Sequence, residues 1–377
     1  MSISESNVYK TAAAAYTKAF TSYAFCRNYI INPTLSLDQR NMGGAQLITT
    51  DTITYGPDRL IATTSTGTSG FSYTLQQQNL SSADTNTLGG IDTSCRMTTN
   101  SNVTFGATSN NVALTHVIEG IFIPSLMWGN ATDGQSATFK IWVKTNVVGT
   151  HCVSFHSSDC NMSYVAPFTV AVADTWTQTS VTMPAPTSGT WMTDSNAGII
   201  INIDKTCSAL GTETSNTWVS GTYTCPTSYE GSNVWTTASN YLEITGLQFE
   251  KGIGTTFEFR TQSVETSLCQ RYFESSMYPY TSPQNNTGAA CPGTSMYLIN
   301  QYGAGRLYFN TTKRGIPTLT FYNPWDSNGV AYNNDKYYTS SNLTALNPNT
   351  NGFSVTSSDT ALLNGMATFN WTASSEF

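Results

Sequence analysis

The chain has 377 residues and a formal net charge of −7, and only 10% of its residues are Asp, Glu, Lys or Arg. An average globular protein carries about 25%; here Thr, Ser, Asn, Gln and Gly fill the gap, beside 20 Tyr, 17 Phe and 8 Trp. Such a composition excludes a disordered chain and a basic phosphate-binding surface, and it favours strands and polar turns over helices.

The fold is therefore expected to be all-β. The longest basic run is Lys313-Arg314, so no nucleic acid is expected as a direct partner. No apolar stretch reaches the roughly 20 residues of a spanning helix, and Ile121–Trp128 is broken by Pro124. Ala12–Tyr16 is apolar, but Glu5 precedes it and Lys18 closes it, which is no secretory pattern. A soluble chain, made in a cytoplasm and without membrane insertion, is expected. The eight cysteines (Cys26, Cys95, Cys152, Cys160, Cys207, Cys225, Cys269 and Cys291) are irregularly spaced and read as free, mostly buried thiols.

In chain order, residues 1–26 stand apart. Tyr9, Ala13, Tyr16, Phe20 and Tyr23 follow a heptad seam, and Ser2 with Glu5 suits a capping box. Two and a half heptads do not hold a helix in isolation. The segment either folds onto its own domain or serves as an oligomerisation or docking helix. Residues 27–262 read as many short strands. Phe139, Ile141 and Val143 alternate with Lys140, Trp142 and Lys144, and Ile199–Ile203 repeats the pattern. From Tyr241 to Phe249 the apolar phase slips between Leu242, Ile244 and Leu247, Phe249, so a bulge is expected at Gly246. Residues 263–277 form a linker helix in this reading, with Val264, Leu268 and Tyr272 every four residues. Residues 278–377 return to strands as a C-terminal β domain. No repeat of 20 to 50 residues indicates a solenoid.

Several motifs, in order, resemble a known family. They begin with Arg27-Asn28-Tyr29-Ile30-Ile31-Asn32-Pro33, Asp38-Gln39-Arg40 and Tyr55-Gly56-Pro57-Asp58-Arg59-Leu60, where Leu60 replaces the usual Trp. His116-Val117-Ile118-Glu119-Gly120 and Thr138–Lys144 follow. Next come Gln248-Phe249-Glu250-Lys251-Gly252, Thr255–Arg260 and Leu268-Cys269-Gln270-Arg271-Tyr272-Phe273. Lys313–Tyr322 and Trp371–Phe377 close the series. Together they resemble bacteriophage tail-fibre-like virion proteins over nearly all of residues 27–377. The resemblance implies a jelly-roll sandwich like a carbohydrate-binding module, a short linker helix and a C-terminal β domain. It also implies a fibre, spike or decoration on the virion, usually trimeric.

Little in the chain points to catalysis. It has three histidines, no Gly-x-Ser-x-Gly elbow and no Gly-Lys dipeptide to begin a phosphate-cradling loop. Glu243 and Glu250 fall on one strand, but 23 acidic residues produce such pairs by chance. The sharpest metal candidates are His151, Cys152, His156 and Cys160. Cys152 and His156 lie about 13 Å apart along a strand at roughly 3.3 Å per residue, so the set converges only if the following turn folds back. No metal, cofactor or enzymatic activity is expected.

Sugars stack on flat aromatics and take hydrogen bonds from amides, hydroxyls and carboxylates. The candidate glycan contacts are Tyr322, Trp325, Asp326, Tyr332, Tyr337 and Tyr338, with Trp142 on the polar face of its strand and Trp191 in a Ser-Gly-Thr-Trp turn. Each could equally plug a sandwich end or a subunit seam. The expected function is host attachment by a phage tail fibre, with residues 1–26 contacting other virion proteins or making a homotrimer. Host-surface polysaccharide would be the ligand and the virion surface the location. The alternatives are a capsid fibre, decoration or tail adaptor with a structural role only, and, third, a depolymerase.

Overall fold

A computed structural model of the chain describes residues 27–49, 52–65, 70–102, 111–205, 212–226, 234–291, 293–300, 302–303, 305–325, 327, 332–333, 343–357 and 365–377. The expected N-terminal helix, with Tyr9, Ala13, Tyr16, Phe20 and Tyr23, lies outside these residues.

The protein is all-β. Its first half contains strands β1 (Gln46–Thr49), β2 (Thr52–Tyr55), β3 (Leu60–Ser65), β4 (Ser72–Asn79), β5 (Thr93–Thr99), β6 (Asn111–Glu119), β7 (Ala137–Thr145) and β8 (Gly149–Ser157). These continue as β9 (Met162–Val170), β10 (Thr177–Met183), β11 (Ala197–Ile203), β12 (Thr212–Glu213), β13 (Trp218–Ser220), β14 (Cys225–Pro226) and β15 (Tyr241–Lys251). One sheet runs β1-β4-β5-β15-β7-β10 and the other β13-β9-β8-β11-β6-β3-β2, with antiparallel neighbours throughout. The chain crosses repeatedly between them, giving a jelly-roll sandwich, while β12 and β14 make a small parallel pair.

Alternation explains the burial. Phe139, Ile141 and Val143 of β7 are fully buried and meet Val153 and Phe155 of β8 in one core, with the Phe139 and Phe155 rings edge to face at 5.4 Å. The lysines and Trp142 face outward, half-buried. The slip in β15 is a bulge. Thr245 opposes Trp142 and Gln248 opposes Lys140, so one extra residue is accommodated at Gly246, whose φ is +61°. The bulge returns Leu247 and Phe249 to the core beside Leu242 and Ile244.

Among the described residues there are two α-helices, α1 (Ser82–Thr87) and α2 (Gln262–Gln270). The phase expected for α2 is not the one observed. Val264 is 44% exposed, and the helix buries Glu265 and Cys269 instead. An ion pair turned it: Arg260 Nε donates to Glu265 at 2.7 Å, and the Asn32 amide donates to the same carboxylate.

The second half contains β16 (Phe273–Ser275), β17 (Thr294–Ile299), β18 (Tyr302–Gly303), β19 (Leu307–Tyr308), β20 (Thr318–Tyr322), β21 (Tyr332–Asn333), β22 (Leu343–Asn349), β23 (Gly352–Ser357) and β24 (Met366–Ser374). The nine-residue β24 is the hub, pairing β16, β17, β20 and β21. Phe321, Phe353, Phe369 and Trp371 pack a separate core with Leu298 and Val355.

Polar motif residues join the two halves. Glu119, at the end of β6, accepts from Arg271 at 2.6 and 2.8 Å and from the Tyr272 hydroxyl. Arg59 is 1% exposed, pairs with Glu376 and stacks its guanidinium 3.6 Å from the Tyr272 ring centroid. Arg40 also reaches Glu376, at 3.1 Å. Arg314 donates to the carbonyls of Ser195 in the sandwich and of Ser375 and Glu376. The Asp-Gln-Arg, Asp-Arg, Glu-Gly and Gln-Arg-Tyr motifs thus meet in one buried seam.

Cys95, Cys152, Cys269 and Cys291 are buried free thiols and Cys160 is a half-buried one. Cys225 departs from the expectation because it is disulfide-bonded.

Candidate functional site

The expected contacts scatter. Tyr322 is not in a loop: it ends β20 opposite Asn370, half-buried, with its hydroxyl 3.5 Å from that of Thr372. Trp325 is 45% exposed, and its backbone amide donates to Asn323 Oδ1 at 3.0 Å. Tyr332 lies in β21 opposite Thr368; its side chain, and Asp326, Tyr337 and Tyr338 altogether, lie outside the described residues. Trp191 packs edge to face on Trp128 at 4.7 Å and on Trp218 at 5.5 Å, and its indole N–H donates to Ser188. It covers the flank of the sandwich core.

The His/Cys set does not converge. His151 Nδ1 and Nε2 lie 3.0 Å from Asp204 Oδ2 and from the Val147 carbonyl. His156 is held between the hydroxyls of Ser154 and Ser163, and burial pushes it down to about 3, so it is neutral. Cys152 donates to the Thr224 carbonyl. Residues 151 and 156 point to opposite sheet faces because they are an odd number of positions apart. Among the described residues no group of three or more His, Cys, Asp or Glu side chains could hold a metal.

Trp142 leads to a more coherent place. After β15 the chain turns back over the outer face of its own sheet, held by the acids and amides of the Gln-Phe-Glu motif. Glu250 accepts from the Thr255 amide at 2.6 Å and the Thr255 hydroxyl at 2.7 Å. Gln248 donates to Glu250 and accepts from the Glu258 amide at 2.8 Å, while Lys140 Nζ donates to the Thr255 carbonyl at 2.6 Å. Both Gln248 and Glu250 are buried. They serve as clamps for the loop, not as free acids.

The clamped loop places Phe257 against the cluster of Leu88, Ile91 and Trp176, on which Trp142 also packs. Two hollows open on either side of it. One, of about 410 Å³, is lined by Thr34, Ser36, Asp92, Thr93, Phe259 and Gln262, among others. The other, of about 380 Å³, is lined by Lys140, Gln178, Gly246, Gln248, Gly254 and Thr256. Phe257 borders both. Phe259 is 56% exposed and its ring meets Phe257 edge to face at 4.9 Å.

Charge within the first hollow is mostly neutralised. Glu265 is paired with Arg260, and Glu258 accepts from the Asn28 amide at 2.7 Å and from the Arg27 amide. Asp92 is exposed. The result is an aromatic plate beside hydroxyls, an amide and one open carboxylate, which suits a neutral polyhydroxylated ligand. Sequence reasoning named Trp142, which packs beside this loop but lines neither hollow, and did not name Phe257, Phe259 or Asp92. The Phe-Glu-Phe alternation at 257–259 was the available signal, but exposure of one ring depends on how the loop folds back.

No family model and no curated protein matches the chain. Among solved structures, it is similar to the enzymatically active domain of tailspike protein 4 from bacteriophage CBA120, at 12% identity and a TM-score of 0.29. That alignment covers 60% of this chain but only 21% of the tailspike chain. A family 11 carbohydrate-binding module from Clostridium thermocellum is 7% identical with a TM-score of 0.26, over 56% of this chain and 98% of its own. A family 61 module complexed with β-1,4-galactotriose is 8% identical with a TM-score of 0.28, over 60% of this chain and 99% of its own.

Proposed function

We propose that the chain is a phage virion surface protein that attaches the particle to host-surface glycan, binding without turnover, with the hollows flanking Phe257 as the contact. The observation that carries this reading is the exposed Phe259 ring, rigidly backed by Phe257 and bordered by Asp92, Thr93 and Gln262. A stacking face next to hydrogen-bonding groups is what a pyranose needs. The ordered motif resemblance over residues 27–377 supports the virion setting. Clamping of Glu250 by Thr255 and of Glu258 by the Arg27 and Asn28 amides supports binding over catalysis. Individual contacts of this size are weak, and several copies on one particle would multiply them by orders of magnitude through avidity.

The test is a glycan array probed with the fluorescently labelled full chain and with its Phe259→Ala variant. Retention of a defined glycan class by the first and its loss in the second supports the reading. Equal retention by both, or none by either, overturns it. Gold-labelled antibody on intact particles tests the virion assignment separately. A tail fibre predicts label at the tail, a capsid decoration label on the head, and absence from particles removes both.

A further inference from the structure

The two hollows beside Phe257 differ in charge. The first carries the exposed carboxylate of Asp92. In the second, Lys140 is the one ionisable group among the described lining residues. Strand register sets the floor of this second hollow. On the outer face of the sheet, Lys140 of β7 stands between Ser180 of β10 and Gln248 of β15, and Trp142 stands between Gln178 and Thr245. The two rows lie about 7 Å apart at roughly 3.3 Å per residue. Gly246, inserted between them by the bulge, borders the hollow and, having no side chain, leaves it open.

The lysine is held in place by backbone. Gly254 lets the returning loop press on it, since a Cβ there would stand 2.5 Å from Lys140 Cε and 3.0 Å from Nζ. The Thr255 carbonyl accepts from Nζ at 2.6 Å and is its one hydrogen-bond partner among the described residues, so two of the three ammonium donors remain. Neighbouring cations on this face are already matched: Arg96 pairs with Glu243 at 2.6 Å and Lys144 with Asp84 at 3.6 Å. Glu250, beneath the loop, spends its oxygens on Thr255 and Gln248. Arg27 is exposed and donates to the Thr256 carbonyl at 3.4 Å, which sets a second cation beside the lining. Gln178 and Thr256, both exposed, add neutral donors. An ammonium with neutral donors around it is a receptor for an oxyanion.

We infer that this hollow is a subsite for the oxyanion of an acidic sugar, held by Lys140 Nζ with Gln178 and Thr256. The inference rests on the glycan contact proposed above and adds its charge class. A neutral residue stacks on Phe259, and an acidic residue of the same glycan reaches Lys140 on the other side of Phe257, which borders both hollows. Lysine is a compact point charge rather than a planar fork. A uronate carboxylate and a sulfate ester therefore share the chemistry that it recognises.

The test is an array of neutral, uronate-bearing and sulfated glycans, probed with the full chain and with its Lys140→Gln and Lys140→Arg variants. Glutamine still donates to the Thr255 carbonyl, so it removes the charge and keeps the clamp. The wild type is expected to retain uronate-bearing or sulfated glycans, and the class retained identifies the oxyanion. Lys140→Gln should retain them about tenfold less, and Lys140→Arg should recover most of that loss. Salt at about 1 M shortens screening to roughly 3 Å, and it should weaken the wild type more than the glutamine variant. Retention of neutral glycans alone keeps the glycan-binding reading and overturns this inference. Acidic glycans held equally by the wild type and Lys140→Gln also overturn it, and no retention of any glycan overturns both. Should Lys140→Gln misfold, Gln178→Glu decides. That isosteric change at an exposed position puts a carboxylate into the hollow and should cut retention of acidic glycans, whereas undiminished retention overturns the subsite.

Discussion

Arg271 donates two hydrogen bonds to Glu119, from Nε at 2.8 Å and from Nη2 at 2.6 Å, across 152 residues of sequence. The arginine follows α2 and the glutamate ends a strand of the sandwich, so one bidentate pair ties the end of α2 to the sandwich. The Glu119 side chain is fully buried and that of Arg271 only 22% exposed. The planar fork fits the carboxylate, and the Tyr272 hydroxyl occupies the remaining acceptor site.

Arg271→Ala leaves that carboxylate buried without its cation, and removing one partner of a buried pair costs about 3–5 kcal/mol. Because Arg271 is partly exposed, water recovers some of the loss, and the lower end is expected. Urea unfolding of the variant should show the sandwich and the C-terminal domain melting at separate midpoints. The double change Glu119→Met/Arg271→Met should recover most of the loss. Full stability in the single variant would show that Arg59 with Glu376, and Arg314, hold the seam without it.

Gly246 has no room for a side chain. Its φ of +61° is left-handed, and an added Cβ would stand 2.8 Å from Trp142 Cδ1 and 2.9 Å from Ile91 Cδ1. Gly246→Ala should cost about 1–3 kcal/mol through backbone strain alone. It should also push Trp142 aside, altering tryptophan fluorescence and weakening binding in the hollow that Gly246 lines. An unchanged thermal midpoint and emission spectrum would mean the bulge can relax.

Phe259 should separate binding from folding. Its ring is 56% exposed, so Phe259→Ala is expected to change stability by less than about 0.5 kcal/mol. Loss of one aromatic plate should weaken glycan affinity by roughly tenfold, or about 1.4 kcal/mol. Calorimetric titration against the best ligand from the array, with thermal melting of the same samples, reads both quantities.

His151 should make stability depend on pH. Burial lowers its pKa, but the Asp204 carboxylate, the hydrogen bond to it and the Val147 carbonyl together outweigh burial and hold the pKa above the ordinary 6.5. Both ring nitrogens face acceptors, an arrangement that favours the doubly protonated ring. The folded state therefore keeps a proton that the unfolded state releases at lower pH. The stabilisation is complete below about pH 6.5 and is lost as pH rises through the higher folded value. Urea unfolding from pH 6 to 8.5 should show falling stability in the wild type. A flatter profile is expected for His151→Gln, and identical slopes would assign the dependence elsewhere.

Much of the architecture was legible in the sequence because strand periodicity is local. Phe139-Lys-Ile-Trp-Val-Lys states its own buried and exposed faces, and the phase slip around Gly246 states its own bulge. The α2 phase was not legible. Its apolar spacing pointed to Val264 and Leu268, but the charge pair Arg260–Glu265 and the Asn32 amide decided which side turned inward. Cys225 was misread because a disulfide depends on which strands end near one another.

What the sequence determined by itself was the fold class, the strand alternation and the bulge, since each depends on neighbours two or three positions apart. Only the tertiary structure decided that Glu119, Arg59 and Arg271 are seam residues and that Gln248 and Glu250 clamp a loop. It also decided that Phe259, rather than Trp191, presents an open ring. These roles depend on which groups meet across 100 residues or more, or on the path of a returning loop. Burial and charge pairing settle such meetings in three dimensions, where no local spacing records them.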